Sequence, residues 1–228
     1  MKKMKFFTLA LCVAFVCSCT TKQGTGTLLG SGAGAIIGGV LGQVIGKDSK
    51  STAIGAAIGG AVGAGAGAII GKKMDKVAAA AAQVENAKVE EITDANGLKA
   101  VKVTFDSGIL FATGKADLNT VSKASLQNFA NVVKADNQIQ VDVQGHTDST
   151  GSDAVNNPLS VKRAQSVVNY LVECGVPYAQ FAKVEGLGST MPVASNETAA
   201  GRQQNRRVEV YMYASQAMID AANSQAGN

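Results

Sequence analysis

The sequence predicts an α+β chain in two parts. A C-terminal domain packs helices on one face of a mixed β-sheet, and a glycine-rich α-helical hairpin precedes it. Three observations carry this reading. Glycine stands at 30, 34, 38, 42 and 46 and again at 55, 59, 63, 67 and 71, a spacing that keeps five residues on one helix face in each copy. From Val89 the period falls to two, with Val101, Val103 and Phe105 alternating against Lys102 and Thr104, as in a half-buried strand. Strand-like and helix-like stretches then follow one another with turn residues between them, the order of a two-layer domain.

The N-terminus reads as an export signal over residues 1–18. Lys2, Lys3 and Lys5 precede an apolar run from Phe6 to Val16, too short to cross a bilayer, which needs ~20 residues. Val16-Cys17-Ser18-Cys19 then resembles the lipobox of bacterial lipoproteins, in which a small residue precedes the cysteine that is acylated. Cys19 fits that position better than Cys17, because Ser18 is small and Val16 is not. Plain secretion, with Cys19 left as a thiol, is the alternative. Cleavage before Cys19 would remove Cys12 and Cys17 and leave Cys174 as the one other thiol, so no internal disulfide is expected. Losing three lysines leaves 18 basic against 17 acidic residues, a net of +1, which gives no electrostatic support for a nucleic-acid partner.

Residues 19–27 form a polar tether, and residues 28–72 the hairpin, bent at KDSKST. Glycine inside a helix costs roughly 1 kcal/mol relative to Ala, so ten at this period need a compensating contact. Close backbone approach, glycine stripe on glycine stripe, supplies one. The uncharged runs Leu28–Gly46 and Ala53–Gly71 each hold nineteen residues. Each would make about 28 Å of helix at 1.5 Å per residue, close to a hydrocarbon core. The second run has only five Ile, Leu or Val, which is weak for lipid exposure. Membrane insertion, self-association through the glycine faces and a flexible spacer all stay open. Residues 73–90 are Ala-rich and read as a helical linker with few packing residues.

Within residues 91–215 the elements follow in order. Asn96-Gly97 joins a strand at Lys88–Thr93 to the Val101 strand. A helix from Asn119 to Ala135 carries the stripe Leu126, Phe129, Val132 and Val133. Ile139, Val141 and Val143 alternate into a strand ending at Gly145. Asn156 or Asn157 caps the next helix, with Pro158 in its first turn. Ala164, Val167, Val168 and Leu171 form its core stripe, and Gly175 ends it, with Cys174 a small buried apolar residue beside it. A strand at Phe181–Gly186, a turn-rich loop through Gly201 and the strand RRVEVYMY complete the domain, and residues 216–228 read as a frayed tail.

The chemistry concentrates in GHTDSTGSDAVNNPLSVKRAQSV, residues 145–167. His146, the only histidine, lies two residues from Asp148 and three from Ser149, but Ser149-Thr150-Gly151 turns the chain, so a nucleophile–base–acid set is not in line. One histidine also excludes a metal site of several histidine ligands. Neither a catalytic residue nor a cofactor or metal is expected. Asn156, Ser160 and Arg163 share a helix face, and the preceding loop can return Asp148 over it. A carboxylate and a guanidinium so placed suit a zwitterion. An internal Asp148–Arg163 salt bridge that merely holds the loop fits the spacing equally well.

The stretch from Val103 to about Tyr211, with FDSGILFATGKADL before these residues and GRQQNRRVEV after them, resembles the OmpA-like peptidoglycan-binding family. GHTD-x-x-G-x(4)-N-x-x-LS-x-x-RA is matched at every specified position. The lipobox and glycine hairpin resemble those of a subgroup of outer-membrane lipoproteins. The resemblance implies that Asp148 and Arg163 hold the ammonium and carboxylate of diaminopimelate in a peptidoglycan stem peptide, and that Asn156 lines the same pocket. Arg206 is implied as a further contact, with Arg207 in its place if the register is one residue off. Thr147 and the Phe111–Gly114 loop would border the site. The implied protein is an acyl-anchored tether between outer membrane and cell wall, facing the periplasm. The rival reading is an assembly, chaperone or oligomeric pore factor acting through the hairpin, with wall binding only for position.

Overall fold

The computed structural model describes residues 62–227, so the signal, Cys19, the tether and the glycine repeats up to residue 61 lie outside the described residues. Five strands, β1 (Ala87–Thr93), β2 (Lys99–Asp106), β3 (Ile139–Gly145), β4 (Phe181–Gly186) and β5 (Arg207–Ala214), form one sheet in the order β1-β2-β5-β3-β4. Only β3 and β4 are parallel. The helices are α1 (Ala64–Ala81), the single turn α2 (Ser107–Leu110), α3 (Thr120–Val133), α4 (Asp153–Glu173), α5 (Ala199–Asn205) and α6 (Gln216–Ala226).

The period-two residues do what their spacing demands. Val101, Val103 and Phe105 of β2 stand in register with Met212, Val210 and Val208 of β5, and Val141 and Val143 of β3 extend the same layer. Leu126, Phe129 and Val133 of α3 and the α4 stripe Ala164, Val167, Val168 and Leu171 close over it. Phe105 meets Phe129 edge to face at 5.4 Å between ring centroids. The expected β1–β2 hairpin is present. Gly97 takes φ +74°, and the Asp94 carboxylate accepts from the Asn96 and Leu98 amides, fixing the turn.

Five expectations are corrected. The helical linker is a packed element, because α1 runs unbroken across the boundary drawn at residues 72/73. Ala66, Ile70, Met74, Ala78 and Ala81 recur every three to four residues and join the main core. The tail is α6, capped by the Ser215 hydroxyl, and its Met218, Ile219 and Ala222 pack in that core with α1. Helix α4 begins at Asp153, so Pro158 is its sixth residue and Asn156 lies inside it. The turn at Gly151 (φ +89°) and the acidic Asp153 in the first turn start the helix earlier than the asparagines suggested. Residues 199–205 of the expected loop are α5, capped by Thr198. Cys174 is half-buried against the core rather than sealed in it.

The other sheet face carries a layer of polar side chains. Arg207 donates to Glu209 at 2.7 Å, the Tyr211 hydroxyl also donates to Glu209, and the Tyr213 hydroxyl donates to Asp142 at 2.9 Å. Tyr211 and Tyr213 cover Ala100 as a small second apolar cluster.

Candidate functional site

Three connections meet where β3 ends and β5 begins. The amide of Ser107, just after β2, donates to the Arg206 carbonyl, and the amide of His146, just after β3, donates to that of Arg207, both at 2.9 Å. Two glycines bring α4 onto this edge. Gly145 and Gly186 are paired across β3 and β4, and a Cβ on either would lie 2.1 Å from the Ser160 carbonyl or 2.2 Å from the Val161 nitrogen. The helix therefore crosses the strands at backbone contact, which only glycine permits. That crossing carries Ser160 and Arg163 over the strand ends.

Asp148 is 6% exposed. Its carboxylate accepts from the Thr150 amide at 2.8 Å and from Arg206 Nη1 at 2.5 Å. Burial opposes its charge, but the Arg206 and Thr150 bonds and the Arg206 charge outweigh burial and hold the carboxyl below its ordinary pKa. From beneath, the Asn156 side-chain amide donates to the carbonyls of Asp148, Thr150 and Gly151 at 3.3, 3.2 and 3.5 Å. Asn156 thus organises the turn that presents Asp148.

Arg163 is 4% exposed. Its Nε donates to the Lys115 carbonyl at 3.1 Å, and its guanidinium lies over the Phe111 ring, 5.2 Å from the centroid. Burial and the nearby Arg206 lower its pKa, with Asp148 acting against them, yet a guanidinium stays charged at neutral pH. Among the described residues Asp148 and Arg163 form no ion pair with each other. The salt-bridge reading fails here, because Arg206 takes the position beside Asp148.

Of the two arginines, Arg206 is the one on the Asp148 side of the sheet. Arg207 points to the opposite sheet face, where it donates to Glu209, Asn205 O and Met191 O. His146 faces that side too, 1% exposed, with Nε2 3.5 Å from Glu209 Oε2. At that separation neither ring nitrogen has a hydrogen-bond partner among the described residues. Burial first, and Arg207 next among the opposing charges, holds its pKa below the ordinary value. Nothing joins it to Ser149. Thr147 is buried beside Asp148, its amide on the Gly188 carbonyl at 2.8 Å and its hydroxyl without a partner among the described residues. Sequence reasoning placed Phe111 at the border of the site but missed its stacking on Arg163. It also missed the Lys115 carbonyl and the loop at Asn196, none of which carries a local signal.

A mixed five-stranded sheet with helices on one face, and a charged turn at the β3–α4 junction, define an OmpA-like domain. Residues 110–206 match the OmpA family model, and residues 1–75 match that of the YMGG-like Gly-zipper. The peptidoglycan-binding protein ArfA of Mycobacterium tuberculosis is 41% identical over 111 residues, 49% of this chain and 34% of ArfA. The outer-membrane lipoprotein YfiB of Pseudomonas aeruginosa is 40% identical over 104 residues, 46% of this chain and 61% of YfiB. The chain thus spans about a third of the one relative and under two thirds of the other. Among solved structures, the cell wall anchor of the T6SS from Pseudomonas aeruginosa superposes with a TM-score of 0.52 at 29% identity, over 62% of this chain and 96% of that one.

Proposed function

We propose that this chain is an outer-membrane lipoprotein, anchored through an acyl group on Cys19 and facing the periplasm, that tethers the membrane to the cell wall. Its domain binds the diaminopimelate of peptidoglycan stem peptides non-covalently. One observation carries the reading: Asp148 and Arg163 are both buried and Asp148 lies near enough to act on the Arg163 charge, yet the two form no ion pair with each other. A buried guanidinium with no carboxylate partner among the described residues is held at a cost, which a ligand carboxylate recovers while the ligand ammonium shares Asp148 with Arg206.

In this reading the ligand's ammonium donates to Asp148, whose oxygens can accept more than the two bonds they hold. Its carboxylate docks on the terminal nitrogens of Arg163, which have no hydrogen-bond partner among the described residues. Arg206 keeps Asp148 ionised and adds a second cation near the carboxylate. Thr147 offers a hydroxyl, and Asn156 holds the turn. No bond breaks and no cofactor takes part, so the role is binding rather than catalysis. One such site binds modestly, but many anchored copies facing one polymer raise the effective concentration. The names of ArfA, YfiB and the T6SS anchor support the wall and membrane assignments. Self-association through the glycine faces concerns mainly residues outside the described ones.

Competition tests the chemistry. Free meso-diaminopimelate should displace the full-length protein from purified sacculi, while cadaverine, the same chain with both ammonium groups and neither carboxylate, should not. Equal displacement by both would refute the two-charge recognition.

A further inference from the structure

We propose that Asn196 is a positioning residue for Asp148, itself set in place by Asn205. The proposal rests on the binding role given to Asp148 above. The peptide unit after Asp148 is held on both sides. Its carbonyl accepts from Asn156 of α4 at 3.3 Å, and its N–H, that of Ser149, donates to Asn196 Oδ1 at 3.1 Å. Two residues earlier in the turn, the Thr147 N–H donates to the Gly188 carbonyl of the same long loop. The loop between β4 and α5 therefore grips the backbone on either side of Asp148, and its only side-chain grip on that turn is Asn196.

Asn196 owes its position to Asn205, which is fully buried and uses both ends of its amide. Asn205 Oδ1 accepts from the Val193 and Ala194 amides at 2.8 and 3.0 Å. Its Nδ2 donates to the Ala194 carbonyl at 2.8 Å and to Asn196 Oδ1 at 2.9 Å. The Asn196 oxygen thus receives one bond from the helix α5 end and passes the constraint to Ser149. Arg202 Nη1 donates to the Asn196 and Glu197 carbonyls at 2.8 and 3.0 Å, holding the backbone beneath it. The loop lies flat on α5 because a Cβ at Gly201 would come 2.0 Å from the Ser195 carbonyl. This relay starts one residue before Arg206, so the same junction that supplies the Asp148 partner also aims Asp148.

Calorimetric titration of the full-length protein with meso-diaminopimelate tests this, alongside amide hydrogen exchange at Ser149. The variants are Asn196→Ala, Asn196→Asp and Asp148→Asn. Asn196 is half-buried, so its removal should leave the melting temperature nearly unchanged. Asn196→Ala should weaken binding roughly 3- to 10-fold, the effect of one hydrogen bond, and speed exchange at Ser149. Asn196→Asp keeps the accepting oxygen and should restore the Ser149 protection and most of the affinity. Wild-type affinity in Asn196→Ala, with or without faster exchange, overturns the relay. If Asp148→Asn abolishes binding in that same experiment, the site stands and only the relay falls. If Asp148→Asn binds like the wild type, both fall together.

Discussion

Asp148 is ion-paired with Arg206, 58 positions along the chain and 2.5 Å away, while Arg163 leans on the Phe111 ring and the Lys115 carbonyl. One buried anion therefore sits among two cations, and the surplus positive charge suits an incoming carboxylate. The Asp148 pKa is depressed below 3.8, so the charge it contributes is complete above that pH and is lost as pH falls through the lower value of the folded state. Arg206→Gln removes the main stabilising partner. The acid limb of ligand binding should then move to higher pH, measured by titration between pH 2.5 and 6. An unmoved limb would mean that Arg206 does not tune Asp148.

Gly145→Ala is expected to do more harm than its one methyl suggests. The new Cβ would meet the Ser160 carbonyl at 2.1 Å, and a Cβ on the paired Gly186 would likewise come 2.2 Å from the Val161 nitrogen, so α4 already touches both strands and cannot slide aside locally. Overpacking of this kind costs roughly 1–3 kcal/mol. Because α4 carries Asn156 and Arg163, affinity should fall with stability. Urea unfolding and ligand titration of the same variant check it; wild-type values in both would contradict the close crossing.

His146 makes a pH prediction that no other histidine can confuse. Its folded pKa lies below the ordinary 6.5 because it is buried, so the unfolded chain takes up the proton first. Stability should therefore hold above pH 6.5 and fall as pH drops from there toward the folded value, at up to about 1.4 kcal/mol per pH unit for one proton. Glu209, burial notwithstanding, is kept ionised far below this window by the Arg207 charge and the Tyr211 hydroxyl. In His146→Gln the slope between pH 6.5 and 5 should flatten. A slope as steep as in the wild type would assign it elsewhere.

Helix α1 bears on the membrane question. Residues 62–71 of the second uncharged run already belong to the domain, with Ala66 and Ile70 in its core. Nine residues of that run remain before them, against the ~20 that a crossing helix needs. Lys73 bonded to Asp136 and Gln138, and Lys99 paired with Asp75, fasten the helix from both sides. Cysteine placed at the exposed Ala68 should react with a membrane-impermeant maleimide in proteoliposomes, and protection by lipid would contradict the docking. Met74→Ala should cost roughly 2–5 kcal/mol in denaturant unfolding, as for any buried side chain of that size.

The centre of the sheet was legible in the sequence because β2 and β3 alternate and Asn96-Gly97 marks the first hairpin, and α3 and α4 because their apolar residues repeat at helical spacing. Helix α6 was not, since QAMIDAANSQA has only Met218, Ile219 and small residues to show. Its reason to fold is α1, more than a hundred residues away. The same holds for α1, whose alanines look like spacer until Ile70 and Met74 find a core. At the site, the charged residues stood out by type and pattern, with Arg206 entering through the family resemblance. Which cation faces Asp148 depended on where β5 starts, and no spacing near residue 148 encodes that. Asn196 and Asn205 had no signal beyond ordinary loop composition.

Co-sedimentation of the full-length protein with purified sacculi tests the central claim most directly. The wild type should pellet with the wall, while Asp148→Asn and Arg163→Ala should stay in the supernatant with unchanged circular dichroism. Retention of both folded variants on the wall would contradict the account.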